Sequence, residues 1–237
     1  MKLNSKIKNE FFQRYVFDYI GANMYLLVED EKKSALVIDP HISREALLFL
    51  KNHNVEKLLI LLTHEHYDHT NGVNYLYEQF DSRLCCQELA AKSIAVEKNN
   101  RPLVVAMRLK VLGEVDKLKK LMSEQKLYSC KSDITFENEL NYMWHGHSIK
   151  MIHTPGHSKG SCCIEIDDKY VFTGDSMIPN EKVLTRFPGG DENVFEQITL
   201  PYLMSISNDK WVMPGHGEPV QRFKLKYRDG KFITLEK

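Results

Sequence analysis

The stretch Leu58-Leu59-Ile60-Leu61-Leu62-Thr63-His64-Glu65-His66-Tyr67-Asp68-His69 decides how this chain is read. Five aliphatic residues in a row have no polar face, so they read as a strand buried on both sides. The residues that follow pack four metal-ligand side chains, His64, His66, Asp68 and His69, into six positions. They therefore lie in the turn where the strand ends, and a rigid sheet can present side chains to a site there. Alternation along an extended segment sends His64 and His66 to the same side. Asp68 and His69 are adjacent and point differently, so the spacing suits two neighbouring metal ions better than one.

Three later segments repeat the arrangement. Ile149-Lys150-Met151-Ile152-His153 runs into Thr154-Pro155-Gly156-His157-Ser158, Lys169-Tyr170-Val171-Phe172 into Thr173-Gly174-Asp175-Ser176, and Trp211-Val212-Met213 into Pro214-Gly215-His216-Gly217. Each is an apolar run that reads as a strand, ending in a glycine-containing turn with one ligand-type side chain. Glycine allows the sharp turn and keeps side-chain bulk away from the ligand. One such turn is weak evidence; four in series are strong.

The set His64, His66, Asp68, His69, His157, Asp175 and His216 resembles the full ligand set of the metallo-β-lactamase-fold hydrolases. The flanking turns, and Arg186-Phe187-Pro188-Gly189-Gly190-Asp191, are most similar to the glyoxalase II-like (hydroxyacylglutathione hydrolase-like) thioester hydrolases. The resemblance covers roughly residues 15–95 and 135–220. It implies an α/β fold, a four-layer αβ/βα sandwich with metals at one edge between two sheets. Residues 1–237 are expected to form a single domain of that fold.

Under this resemblance one metal takes His64, His66 and His157, the other takes Asp68, His69 and His216, and Asp175 bridges them. Imidazoles and carboxylates suit Zn²⁺ first, and also Fe²⁺ or Mn²⁺. Two such cations about 3.5–4 Å apart share a water and hold it as hydroxide near neutral pH. The expected chemistry is attack of that hydroxide on a thioester or related ester, with a glutathione-, CoA- or carrier-protein-linked acyl group as substrate. Asp68 is the candidate catalytic residue, orienting the hydroxide and passing a proton to the leaving group. Arg186, Lys159 and Tyr67 are candidate substrate contacts. The alternatives are a mononuclear iron sulfur dioxygenase of the same fold, a lactonase or a phosphodiesterase. Two features argue against a periplasmic β-lactamase: the aspartate at 175, and an N-terminal stretch, Met1 to Lys8, without the apolar core of a signal peptide.

Composition is consistent with this reading. The 237 residues are 43% hydrophobic, and formal net charge is zero, so no global field favours nucleic acid or a membrane. No apolar run approaches the length of a membrane span. The five cysteines, including the pairs Cys85-Cys86 and Cys162-Cys163, form no disulfide framework and read as structural thiols of a cytoplasmic protein. An oligomer is compatible with all of this.

Other elements can be read along the chain. Residues 24–28 and 35–39 read as a hairpin, and 44–53, 73–80, 87–96 and 114–125 as helices. Val220 to Leu235 reads as a basic hairpin turning at Asp229-Gly230. About twenty residues follow His216, too few for the C-terminal helical domain with which glyoxalase II enzymes hold glutathione. Residues 97–131 depart from the family pattern and carry nine Lys or Arg against four Asp or Glu. This insert reads as a solvated helical excursion or as a surface for an anionic substrate or carrier. His145 and His147 have ligand-like spacing but read as a loop beside a strand, since the seven-member set is already complete. His153 and His41 are candidates for supporting positions near the site.

Overall fold

The computed structural model describes residues 11–124 and 126–235. The apolar runs become central strands of two sheets. In the first, β1 (Gln13–Val16), β2 (Asn23–Glu29), β3 (Ser34–Ile38), β4 (Lys57–Leu61), β5 (Asp81–Gln87) and β6 (Ile134–Phe136) lie side by side in chain order. In the second, β7 (Glu139–Trp144), β8 (His147–His153), β9 (Cys162–Ile166), β10 (Tyr170–Gly174), β11 (Trp211–Pro214) and β12 (Val220–Gln221) are likewise neighbours in sequence order. A separate hairpin pairs β13 (Leu225–Arg228) with β14 (Lys231–Thr234).

Strand alternation divides the apolar side chains into three cores. Leu36, Ile38, Leu59 and Leu61 point inward and meet Ile149, Met151, Ile164 and Phe172 of the facing sheet. Their neighbours Ala35, Val37, Leu58 and Ile60 point outward beneath helices. Those helices are α1 (Arg44–Asn52), α2 (Tyr67–Thr70), α3 (Val73–Tyr77) and α4 (Glu88–Ile94), of which α1, α3 and α4 cover the sheet through Ala46, Leu50, Val73, Leu76, Ala90 and Ile94. The insert folds as α5 (Leu103–Val111) and α6 (Val115–Glu124). On the far side, Cys163, Val171 and Val212 are covered by Phe195, Leu203 and Ile206, and by Leu225 and Phe232 of the hairpin. Phe195 opens a π-helical turn between α7 (Glu192–Val194) and α8 (Leu200–Ser205). The architecture is the expected four-layer sandwich, with the insert as a helical pair. Each fully buried Leu, Ile or Phe contributes about 1.5–3 kcal/mol.

Several boundaries differ from the sequence reading. The helix expected over 73–80 stops at Tyr77, and the one expected over 87–96 begins at Glu88. Gln87 ends β5, and its side chain accepts the N–H of Leu89 as a cap. The helix expected over 114–125 begins at Val115 and reaches Glu124, and Gln125 lies outside the described residues. The C-terminal hairpin is narrower than 220–235, because Val220–Gln221 pairs with β11 instead. All five cysteines are free and buried.

β8 and β10 both run antiparallel to β9, and β10 runs parallel to β11. β8, β10 and β11 therefore end at the same edge of their sheet. The end of β4 joins that edge through a hydrogen bond from Cys162 N to Thr63 O (2.7 Å). Asn23 N donates to Gly215 O (2.7 Å) beside it, and the Asn23 side chain donates to the carbonyls of Pro214 and Gly217. The first sheet thus clamps the turn that carries His216.

The far end of β8 is closed differently. His147 donates through Nδ1 to Asp167 (2.7 Å) and through Nε2 to Glu29 of the first sheet (3.0 Å). His145 sits in the β7–β8 turn at φ 48°. Neither histidine lies with the strand-end cluster. Partial burial pulls the His147 pKa down, but hydrogen bonds and charges from Glu29 and Asp167 raise it above 6.5 overall. A raised folded pKa means stabilisation that is full below the ordinary histidine value and lost as pH climbs through the raised one. His147→Gln should therefore cost roughly 1–2 kcal/mol at pH 6 and clearly less at pH 9, read from urea melts. An equal loss at both pH values would reduce His147 to a packing residue against Trp144 and Phe11.

Candidate metal centre

The four strand-end turns bring His64, His66, Asp68, His69, His157, Asp175 and His216 into one cluster. The rings of His64 and His66 meet edge to face at 4.7 Å between centroids, and each does the same with His157. Asp68 and His69 lie in the single turn of α2, and although adjacent they converge: His69 Nε2 is 3.3 Å from Asp68 Oδ2. His216 Nε2 is 3.3 Å from that same oxygen. Asp175 Oδ2 lies 3.4 Å from His216 Nε2 and 3.7 Å from His157 Nε2, while its Oδ1 is 3.4 Å from His69 Nε2. Asp175 thus stands between two groups, His64/His66/His157 and Asp68/His69/His216, whose ligand atoms each gather within 4.8 Å.

Glycine makes this density achievable. Gly174 adopts φ +48°, and a Cβ there would collide with Thr63 Oγ1. A Cβ on Gly215 would collide with Asp175 Oδ1. Both turns approach the cluster as bare backbone.

The hydrogen bonds behind the rings decide which nitrogen faces inward. His157 Nδ1 donates to Leu184 O (2.9 Å), and His216 Nδ1 to Ile20 O (3.3 Å). A carbonyl can only accept, so Nδ1 of each ring carries its proton outward and Nε2 is the nitrogen turned to the cluster. Asp39 does the same for His69, accepting from its Nδ1 at 3.1 Å. Thr63 donates to Asp39 through N (2.7 Å) and Oγ1 (2.6 Å), and the same hydroxyl accepts from His64 Nδ1 (3.0 Å). Asp39, His64 and His69 also fall within ligand range of one another. Both oxygens of Asp39 are already committed, however, and they face the Nδ1 side of His69, so Asp39 orients a ring and is no ligand.

The inward side is underbonded. His64 Nε2, His69 Nε2 and Asp175 Oδ1 are buried without a hydrogen-bond partner. A native interior rarely tolerates such atoms unless something else binds there. His157 Nε2 and His66 Nδ1 are 2.9 Å apart, a pair that must share one proton or one cation. This donor set fits divalent transition-metal ions. His66 and Asp175 are the partly exposed members, so the cluster opens to solvent on their side.

Protonation follows from the same geometry. Burial, then the neighbouring His69 and His66, hold the His64 pKa well below the usual value. Burial, then His66, lowers His157 to about 4. Burial also opposes charge on His69 and His216, but the carboxylates of Asp68 and Asp175 prevail, raising His69 well above 6.5 and His216 to about 9. Burial pushes Asp68 and Asp175 up, yet facing imidazoles hold both well below the ordinary carboxylate range. Two ionised carboxylates thus face two imidazoles whose protonation they favour, and a cation binding there would have to displace those protons.

The remaining candidates are more dispersed. Lys159 is exposed, and its carbonyl accepts from His153 Nε2 (2.9 Å), which ties the His157 loop to β8. Arg186 is exposed, and its neighbour Phe187 presents an edge-to-face contact to His66 at 6.4 Å. Asp191 N donates to Gly156 O (2.8 Å), so the 186–191 loop is fastened beside the His157 turn. Tyr67 packs beneath the insert with Tyr19 and Ile20. His41 contacts backbone oxygens of Tyr15 and Ile42. Sequence reasoning passed over three residues: Asp39, Thr63 and Glu65. Glu65 accepts from Ser158 Oγ (2.7 Å) and so joins the two histidine loops. The available signal for Asp39 was its place directly after a strand whose parallel partner ends in the histidine motif.

The comparisons agree with the geometry. A family model described as the metallo-beta-lactamase superfamily matches residues 18–216. The probable polyketide biosynthesis zinc-dependent hydrolase BaeB of Bacillus velezensis is 25% identical over 218 residues, 90% of this chain and 82% of that protein. The hydroxyacylglutathione hydrolase of Pelagibacter ubique is 26% identical over 156 residues, 65% of this chain and only 50% of the enzyme. The crystal structure of BLEG-1 B3 metallo-beta-lactamase superposes with a TM-score of 0.73 at 24% identity, covering 90% of this chain and 95% of that one, a likeness of fold. Among the described residues no helix is long and apolar enough to cross a membrane.

Chelation should lower the melting temperature by roughly 5–15 °C, because a cation that binds only the folded cluster stabilises it by several kcal/mol. Asp39→Ala should shrink the gap between loaded and stripped protein by releasing His69. Identical melting with and without chelator would mean that the cluster closes without a cation.

Proposed function

The chain belongs to the metallo-β-lactamase superfamily, and from that premise we propose that it is a binuclear metal-dependent hydrolase of acyl thioesters. The observation that carries this reading is the pair of three-residue groups flanking Asp175, with buried ring nitrogens aimed between them. His64, His66 and His157 would hold one ion, Asp68, His69 and His216 the other, and Asp175 would contact both. Bound there, the ions would supply Lewis acidity that activates water near neutral pH and polarises a carbonyl. Zinc is favoured by the donor set and by the zinc-dependent relative.

The protein's own part is orientation and proton handling. Asp39, Thr63 and the carbonyls of Leu184 and Ile20 fix the tautomers and ring planes, a support that typically matters 10–100-fold to a metal site. Asp68 is buried and its pKa is held well below the ordinary carboxylate range, so its carboxylate could accept the proton of the attacking water and return it to the departing thiolate. The opening at His66 and Asp175 admits the acyl group, with Phe187 as an apolar edge and Arg186 beside it. The hydroxyacylglutathione hydrolase relative supports a thioester as the bond cleaved.

Protein purified without chelator and supplemented with metal should contain two divalent ions per chain, and Asp175→Ala should retain one and lose most activity. Elemental analysis with a panel of thioesters, lactones, phosphodiesters and β-lactams tests the reading. One iron per chain with oxygen uptake would replace it by a dioxygenase, and turnover of another panel member alone would replace the substrate class.

Asp68→Asn keeps the shape and one ligand oxygen but cannot take up a proton. With rates normalised to bound metal, kcat should fall by roughly two to four orders of magnitude with little change in KM. A normalised kcat within a few-fold of wild type would leave Asp68 as a ligand only.

A further inference from the structure

The insert has two faces, and the hydrolase does not use the outer one. Val105, Leu109 and Leu121 point inward onto Tyr19, Ile20 and Tyr67, next to Asp68, so α5 and α6 sit at the rim of the cluster. Arg108 reaches Glu181 in the segment after β10 (3.6 Å), tying α5 to the loop beyond Asp175. The outer face is apolar where a solvated helix would be polar. Leu103 (59% exposed), Met107 (58%) and Val111 (87%) recur every four residues along α5, a stripe continued at the helical turn by Leu112 and Val115. A contiguous exposed patch of this kind, rimmed by charge, marks an interaction surface.

The rim is cationic. Among the described residues, only Arg108 and Lys117 of the insert's nine cations have a carboxylate at ion-pair distance, Lys117 from Glu114. Lys110, Lys119 and Lys120 have none, and all three are exposed. Because the whole chain is neutral, the rest of it carries an equal negative excess, and the insert is a positive pole. A second copy would bring two like-charged patches together across a twofold axis, which is unfavourable. A bilayer-seeking helix carries Trp, Phe and a wide apolar face; residues 97–131 contain neither Trp nor Phe, and α5 is nine residues long.

We propose that the outer face of α5 and α6 docks an acidic carrier protein that bears the acyl group as a thioester on a flexible arm. The carrier's carboxylates meet Lys110, Lys119 and Lys120, its apolar contact covers Met107 and Val111, and its arm passes the rim to the opening at His66 and Asp175. The acyl-carrier part of this assignment rests on the thioester reading; the docking surface does not.

The probe is a purified acidic acyl carrier protein with its pantetheine arm. Binding of the labelled, unacylated carrier is followed by fluorescence anisotropy, and hydrolysis of the acetylated carrier is compared with that of acetyl-N-acetylcysteamine, which is small and neutral. The unacylated carrier should bind at 50 mM salt and lose at least tenfold in affinity at 500 mM. Lys110→Glu/Lys119→Glu/Lys120→Glu and, separately, Met107→Glu should each lose at least tenfold in binding and in kcat/KM on the acetylated carrier. Both should keep the rate on the small thioester within twofold and melt like wild type. No carrier binding, or binding untouched by either variant, overturns the docking surface. Sedimentation with anionic phospholipid vesicles that Met107→Glu abolishes overturns it in favour of a membrane, and a dimer that Met107→Glu dissociates overturns it in favour of a second copy. Salt-sensitive binding that both variants weaken, with neither thioester cleaved by the metal-loaded protein, supports the docking surface and removes the thioester reading alone.

Discussion

Two carboxylates, Asp68 and Asp175, are buried within one cluster of imidazoles, and the rest of the architecture answers to that constraint. An ionised carboxylate taken out of water must be paired and hydrogen-bonded, or the fold loses several kcal/mol. Here the pairing is supplied by the Nε2 atoms of His69, His157 and His216, carried on three separate turns. Those turns converge because β8, β10 and β11 run the same way and end at the edge where β4 also ends. The stitches that hold the sheets in register there, Cys162 N to Thr63 O and Asn23 N to Gly215 O, are backbone hydrogen bonds. The positions of the clustered side chains therefore follow from how the sheets pack, not from the flexibility of the loops that carry them.

A second tier of contacts turns this position into chemistry. Every ring whose Nε2 faces the centre has its Nδ1 anchored outside, by Asp39, Thr63, Leu184 or Ile20. The anchors are of two kinds. Carbonyls of the backbone are fixed by the fold itself, whereas the Asp39–Thr63 pair can be altered by substitution, and it serves both His64 and His69. Asp39 adopts φ +52°, a left-handed conformation that aspartate tolerates better than most residues. That conformation turns the carboxylate back over the end of β4.

The legible and illegible parts of this chain differ in physical kind. Continuous aliphatic runs such as Leu58–Leu62, and strand-end turns with glycine beside a ligand-type residue, are local signals; they mark β4, β8, β10, β11 and the seven clustered side chains, whereas the two-sheet arrangement is implied by the family resemblance. β5 was not anticipated because Asp81, Ser82 and Arg83 occupy its outer half, and only Leu84 to Gln87 are buried. α5 was not anticipated as a helix because it is apolar on both faces, which erases the helical period. Asp39 was passed over because its role is non-local: it depends on the parallel register that sets Ile38 beside Leu61. No spacing within one segment reports such a register. His145 and His147 have ligand-like spacing but read as a loop beside a strand, and they lie in a tight turn and in a clasp between the two sheets.

The division between scaffold and periphery also explains how a chain can keep this fold at about 25% identity to its relatives while its rim is free to vary. The ligands and their anchors sit on strand ends inside the packed layers, where a displaced backbone would disturb three cores at once. The 186–191 loop and the α5–α6 pair touch the cluster only from its rim, through Phe187 and Tyr67. A helical pair held by three buried side chains and by the contacts of Arg108 with Glu181 and Glu124 with Tyr19 can change charge or exposed face at little cost to the sheets beneath. Selection acting on substrate would therefore fall on these peripheral elements. In this chain they combine positive charge, an exposed apolar stripe and direct contact with the turn that carries Asp68. Under the proposed function, recognition would fall on the side of the site that the insert borders, and the chemistry on the strand ends.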